Sequence, residues 1–108
     1  MNESISSHDL YNMINSDNAP VVIEALPAQY YNAEHIPGAI NIPLDEVADK
    51  AADLLPDKKR AVVVYCANAL CKNSQQAAAV LRQMGYVSVF EYTDGKQGWK
   101  DSGFPLVQ

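Results

Sequence analysis

Apolar positions along this chain follow two periods. Short unbroken runs, Val21-Val22-Ile23 and Ala61-Val62-Val63-Val64, read as strands buried on both faces. Elsewhere apolar residues recur at three and four, the spacing of one helix face. Leu10, Met13 and Ile14 give one such face, opened by Ser6 or Ser7 as a cap with Asp9 in the first turn and closed before Pro20. Pro27 to Ala33 reads as one or two helical turns in which Tyr30 and Tyr31 each offer an apolar ring. Leu44 to Leu55 reads as an amphipathic helix with Leu44, Val47, Ala48, Ala51, Ala52 and Leu55 toward the core. A further helix carries Ala77, Val80, Leu81 and Met84 on one face, with Gly85 as its C-terminal cap. Pro37-Gly38 is a turn, Ala39 to Ile42 a short strand with Asn41 placed to bond a neighbouring loop, and Val87 to Tyr92 another strand. Thr93-Asp94-Gly95 turns the chain into a short helix whose Trp99 is a core anchor, and Gly103-Phe104-Pro105-Leu106 closes the domain.

Strands alternating with helices predict an α/β fold: an open parallel sheet of four or five strands, covered on both faces, with right-handed crossovers. The 108 residues are read as one domain spanning 1–108, and the 48% apolar content suffices for a single core. A net charge of −5 argues against nucleic acid or an anionic membrane surface as partner. No apolar run is long enough to span a bilayer, and the opening MNESISSHDL lacks the pattern of a signal peptide, so a cytoplasmic location is expected. Two cysteines are too few for a disulfide-stapled fold and are expected to rest as thiols there. Neither histidine is spaced to join them, so no metal or other cofactor is expected. Lys58, Lys59 and Arg60 read as a solvated turn.

The candidate chemistry lies between the central strand and the helix that follows. Cys66 opens a short loop that ends at a helix start, where backbone N–H groups and the helix dipole favour a thiolate and a bound anion. Cys66 is therefore the candidate nucleophile. Cys71 lies five residues on, and a cradle-shaped loop would bring the two together. It is either a resolving thiol for Cys66 or a small loop residue without chemistry. Glu24 stands at a C-terminal strand tip, where ligands bind in open parallel sheets; its plainer reading is a solvated strand end or a cap. His35 is either a proton carrier or, as the plainer reading, a structural residue whose ring ties two loops together.

Taken together, VVIEA, HIPGAINIP, VVVYC, AAAVLRQMGY, DGKQGW and GFP resemble the rhodanese family over about Val21 to Leu106. The resemblance implies a sulfurtransferase. Its loop cysteine, Cys66 here, takes a sulfane sulfur from thiosulfate, a polysulfide or a protein persulfide, and gives it to a thiol or cyanide. The loop that cradles the outer sulfur is then Ala67, Asn68, Ala69, Leu70, Cys71, Lys72 and Asn73, with Glu24 and His35 in support. The chain departs from the family pattern in several places. Glu24 replaces an Asp and Leu26 an Arg, so that an ion pair near the loop is expected to be missing. Glu34 and Asp94 replace glycines. The loop is longer than the common form, with Lys72 its only cation, which points away from thiosulfate toward other donors. Two other readings stand beside this one. One is a non-catalytic or redox-sensing module using Cys66 and Cys71. The other is a phosphatase or arsenate reductase with Cys66 and Lys72 bracketing the loop, for which lysine is a poor substitute for a forked guanidinium.

Overall fold

A computed structural model describes residues 4–108. The first three residues of the opening stretch, read above for a leader, lie outside it. The two β-branched runs form the centre of a four-stranded, all-parallel sheet. Strands β1 (Val21–Glu24), β2 (Ile40–Asn41), β3 (Val62–Tyr65) and β4 (Val89–Tyr92) stand in the order β2-β1-β3-β4. Helices α1 (Ser7–Ile14), α2 (Ala28–Ala33), α3 (Val47–Leu54), α4 (Asn73–Gln83) and α5 (Gly95–Asp101) complete the domain. Ser6 and Asp9 close a reciprocal cap on α1. Gly85, at φ +101°, follows the end of α4.

Strand alternation sorts the core into two halves. Ile23, Val62, Val64 and Val89 pack with Val47, Ala51 and Leu81 of α3 and α4. Val22, Val63, Tyr65 and Tyr92 pack on the opposite face with Leu10 of α1 and Trp99 of α5. The expected layering on both faces is thus present. Trp99 is buried, and its indole N–H donates to Pro105 O at 2.8 Å.

Local expectations needed correction in four places. The helix drawn from Leu44 starts as a 3-10 turn over Leu44–Glu46, and α3 buries only Val47 and Ala51. Ala48 and Ala52 are exposed; they sit one step around the helix from that stripe, and a methyl group loses little in water. Strand β2 has two residues because Asn41 turns its amide to Glu24 O and Leu26 O, and Pro43 cannot extend a ladder. Strand β4 starts at Val89, since Val87 is exposed and its N–H goes to Lys58 O. The basic turn does more than meet solvent: Lys58 donates to Met84 O at 2.7 Å and Arg60 to Ala19 O at 3.1 Å. Among the described residues no helix is long and apolar enough to cross a membrane, and no group of three or more His, Cys, Asp or Glu could hold a metal.

Candidate active site

Strand β3 ends at Tyr65, and Cys66 follows with its side chain buried at the mouth of the loop leading to α4. Asn68 folds that loop back. Its carbonyl accepts from Cys71 N at 3.2 Å and its side-chain oxygen from Leu70 N at 3.0 Å, an Asx turn. The turn brings the Cα atoms of Cys66 and Cys71 to 6.3 Å, within disulfide reach, and the two are bonded. The resting thiols expected from the sequence are therefore a disulfide here. Ala67 and Cys71 are half-buried, whereas Asn68, Ala69, Leu70 and Lys72 are exposed. Among the described residues the amides of Ala67, Asn68, Ala69 and Lys72 have no protein acceptor. The loop lands on α4 through Asn73, whose amide donates to Ala25 O at 3.0 Å, and through Ser74, a buried hydroxyl 3.5 Å from Cys66 Sγ. Ser74 was missed in the sequence, although its place in the first turn of the helix after the loop is a readable signal.

Below the loop lies an ionic network that the sequence reading did not anticipate. Glu24 is fully buried, not a solvated strand end. Strand pairing sets it beside Tyr65, whose hydroxyl donates to Glu24 Oε1 at 2.8 Å and accepts from Ile36 N at 3.1 Å. Lys96 of α5 places Nζ 3.0 Å from Glu24 Oε2 and donates to Tyr30 O at 2.7 Å and to Glu34 O. Position 26 carries no cation, as expected from Leu26, and a different ion pair, from Lys96 near the C-terminal end of the chain, stands near the loop instead. Burial pushes the Glu24 carboxyl above its usual range, against the opposing pull of Lys96 and Tyr65. Burial, and then the charge of Glu24, push the Tyr65 phenol far up, so it stays a proton donor. A signal for Lys96 was present: it precedes the core anchor Trp99 by three residues and so shares its helix face.

The start of α5 also touches the loop directly. Lys96 N donates to Cys66 O and Gln97 N to Ala67 O, both at 3.0 Å. Gly95, at φ +65°, permits this approach, because a Cβ there would run into Cys66 O. His35 has a holding arrangement. Nδ1 bonds Tyr31 O at 2.9 Å, the ring stacks on Tyr31 at 3.9 Å, and its main chain pairs with Val107. A cleft of about 250 Å³ opens beside the loop, lined by Leu26, Tyr30, Glu34, Asn68, Lys96 and Lys100.

Chemically, the arrangement offers a buried sulfur at a helix start, free loop amides above it and a fixed polar floor below. Comparison with known proteins points the same way. The family model for the rhodanese-like domain matches residues 6–102. The chain is 42% identical over 86 residues to thiosulfate sulfurtransferase PspE of Escherichia coli, covering 80% of this chain and 77% of that protein. It is 39% identical over 85 residues to the HTH-type transcriptional regulator Rv0324 of Mycobacterium tuberculosis, covering 79% of this chain and only 36% of the regulator. A solved structure described as a rhodanese with anions from E. coli superposes with a TM-score of 0.69 at 40% identity, covering 83% of this chain and 99% of that one.

Proposed function

The chain belongs to the rhodanese-like domain family, a sulfurtransferase by its named relatives, and from that premise we propose that Cys66 carries the transferred sulfur as a persulfide. The observation that bears most weight is the setting of Cys66: buried at the end of β3, beside Ser74 and the first turn of α4. A thiolate there is favoured by the helix start, and a serine hydroxyl can donate to it.

The reaction begins with reduction of the Cys66–Cys71 bond by an external thiol. The Cys66 thiolate attacks the outer sulfur of thiosulfate, breaks its S–S bond and releases sulfite. A polysulfide or protein persulfide donor loses a shortened polysulfide or a thiolate in the same way. The negative outer sulfur is then held by loop amides between Ala67 and Asn73, a fixed donor set that needs no reorganisation. Attack by cyanide on that sulfur yields thiocyanate and regenerates the thiolate; a thiol acceptor leaves as its own persulfide. Lys72, the loop's only cation, is exposed, which favours a protein persulfide or polysulfide donor over thiosulfate.

The Cys66–Cys71 disulfide favours a second reading, in which the domain senses redox state. In that reading Cys71 is the resolving thiol: its thiolate attacks Cys66 Sγ of the persulfide, expels hydrosulfide and closes the disulfide. Turnover separates the two. Reduced protein given polysulfide and cyanide is expected to form thiocyanate catalytically, and Cys66→Ser to form none while melting like the wild type, because a hydroxyl is far less nucleophilic than a thiolate. A single turnover that stops at the disulfide supports the sensing reading, and full activity in Cys66→Ser removes Cys66 from the site.

A further inference from the structure

Lys96 is an unusual residue to bury. A charged ammonium is tolerated in an interior only when its protons are met. Its Nζ meets Tyr30 O at 2.7 Å, Glu34 O, and Glu24 Oε2 at 3.0 Å. One side chain thereby joins the end of α2 to the tip of β1. Its own main chain reaches the other way, to Cys66 O. Glu24, its carboxylate partner, is held in turn by Tyr65, the residue before Cys66. The segment Tyr65-Cys66-Ala67 is therefore gripped on one side through the Glu24 carboxylate and on the other by the amides of Lys96 and Gln97. Lys96 takes part on both sides, through Nζ to Glu24 and through its main-chain amide to Cys66 O.

Stability alone does not account for the arrangement. Taking both charges out of water costs free energy that their mutual attraction often does no more than offset, so a buried ion pair is a weak source of stability. Neutral side chains at positions 24 and 96 together would fill the same space without desolvating a charge.

We propose that Lys96 is a positioning residue for sulfur transfer: its buried ammonium fixes α5 against Glu24 and the end of α2, and so sets the Cys66 loop in its working geometry. This rests on the sulfurtransferase reading of Cys66. In this role Lys96 acts through Glu24 and the Cys66 carbonyl. Because the loop is misplaced rather than the substrate site removed, its loss lowers kcat with little change in KM.

The test compares Lys96→Met, Lys96→Arg and the neutral pair Glu24→Gln/Lys96→Met in reduced protein. Two readouts are taken: kcat and KM for polysulfide-to-cyanide transfer, and the pH profile of iodoacetamide alkylation at Cys66, resolved by peptide mass spectrometry. Lys96→Met is expected to lower kcat by about tenfold, on the scale of a small misplacement of a reacting group, and to shift the alkylation profile of Cys66. Lys96→Arg keeps most of the rate, and the neutral pair, which leaves no lone buried charge, keeps the defect. If Lys96→Met does not fold, the neutral pair decides. A folded neutral-pair variant with kcat within roughly threefold of wild type, too small a change for lost positioning, and an unshifted alkylation profile overturns the proposal. If neither variant folds, the pair belongs to the fold alone and the proposal falls. If wild type transfers no sulfur, the functional reading fails, and the alkylation profile still reports whether Lys96 sets the loop.

Discussion

The two faces of the sheet are built from different chemistry. Against α3 and α4 the centre is aliphatic, with Ile23, Val62, Val64, Val47 and Leu81, while Tyr86 and the buried Glu91, paired with Arg82 of α4, lie at its edge. Against α1 and α5 the centre is aromatic, with Tyr65, Tyr92 and Trp99, and Glu24 and Lys96 lie buried beside it. Two strand ends decide this. Val21-Val22-Ile23-Glu24 and Val62-Val63-Val64-Tyr65 run in register, so alternation delivers Glu24 and Tyr65 side by side to the same face. Aliphatic contacts are nondirectional, and their loss is felt as stability. Hydrogen bonds and ion pairs are directional, and a buried group that loses its partner also loses its position. One face holds the domain together, while the other decides where the Cys66 loop begins.

The sharpest way to break this contrast is a pair of truncations. Leu81→Ala removes a fully buried side chain from the aliphatic face and is expected to cost about 2–4 kcal/mol of stability, with sulfur transfer per folded molecule unchanged. Tyr65→Phe removes only a hydroxyl but leaves Glu24 Oε1 and Ile36 N without their partner. The expected loss is about 1–3 kcal/mol, accompanied by a fall in kcat. Urea unfolding and steady-state rates on the same samples read both. Equal loss of kcat per folded molecule in the two variants would erase the distinction between the faces.

A smaller effect sharpens it. The folded state raises the Glu24 carboxyl above its ordinary value of 4.5, burial being the largest cause. Folded protein therefore binds that proton more tightly than unfolded chain does. The carboxyl contributes no pH dependence below its ordinary value, and it lowers stability progressively as pH rises from there through its folded value. Glu24→Gln fixes the neutral form, so its stability relative to wild type is expected to improve over that rise. Unfolding curves at a series of pH values check this; a relative gain that shrinks with rising pH would mean that Lys96 and Tyr65 outweigh burial.

Much of the fold was legible in the sequence because apolar periodicity is local. The runs at Val21 and Val62, the helix of Ala77, Val80 and Leu81, and the Trp99 anchor all lie where their spacing placed them. Cys66 was legible for the same reason, since a cysteine ending an apolar strand needs no distant partner to be noticed. The polar floor was not legible. Charges are ordinarily solvated, so Glu24 read as a strand end, and nothing near it in sequence supplies a cation. Its partner arrives on α5, a helix read only for its tryptophan. The disulfide was a question of loop shape: Asn68 draws Cys71 back to Cys66, which residue spacing alone permits but does not require.

The central claim is that Cys66 carries sulfur, and intact mass tests it most directly. Protein reduced with a thiol, freed of reductant and given thiosulfate or polysulfide is expected to gain about 32 Da, one sulfur atom covalently held on the nucleophile. Peptide mapping is expected to place the gain on Cys66, and cyanide to remove it. A protein that gains no sulfur from either donor, and only loses two hydrogens as Cys66 and Cys71 re-form their bond, would contradict the account.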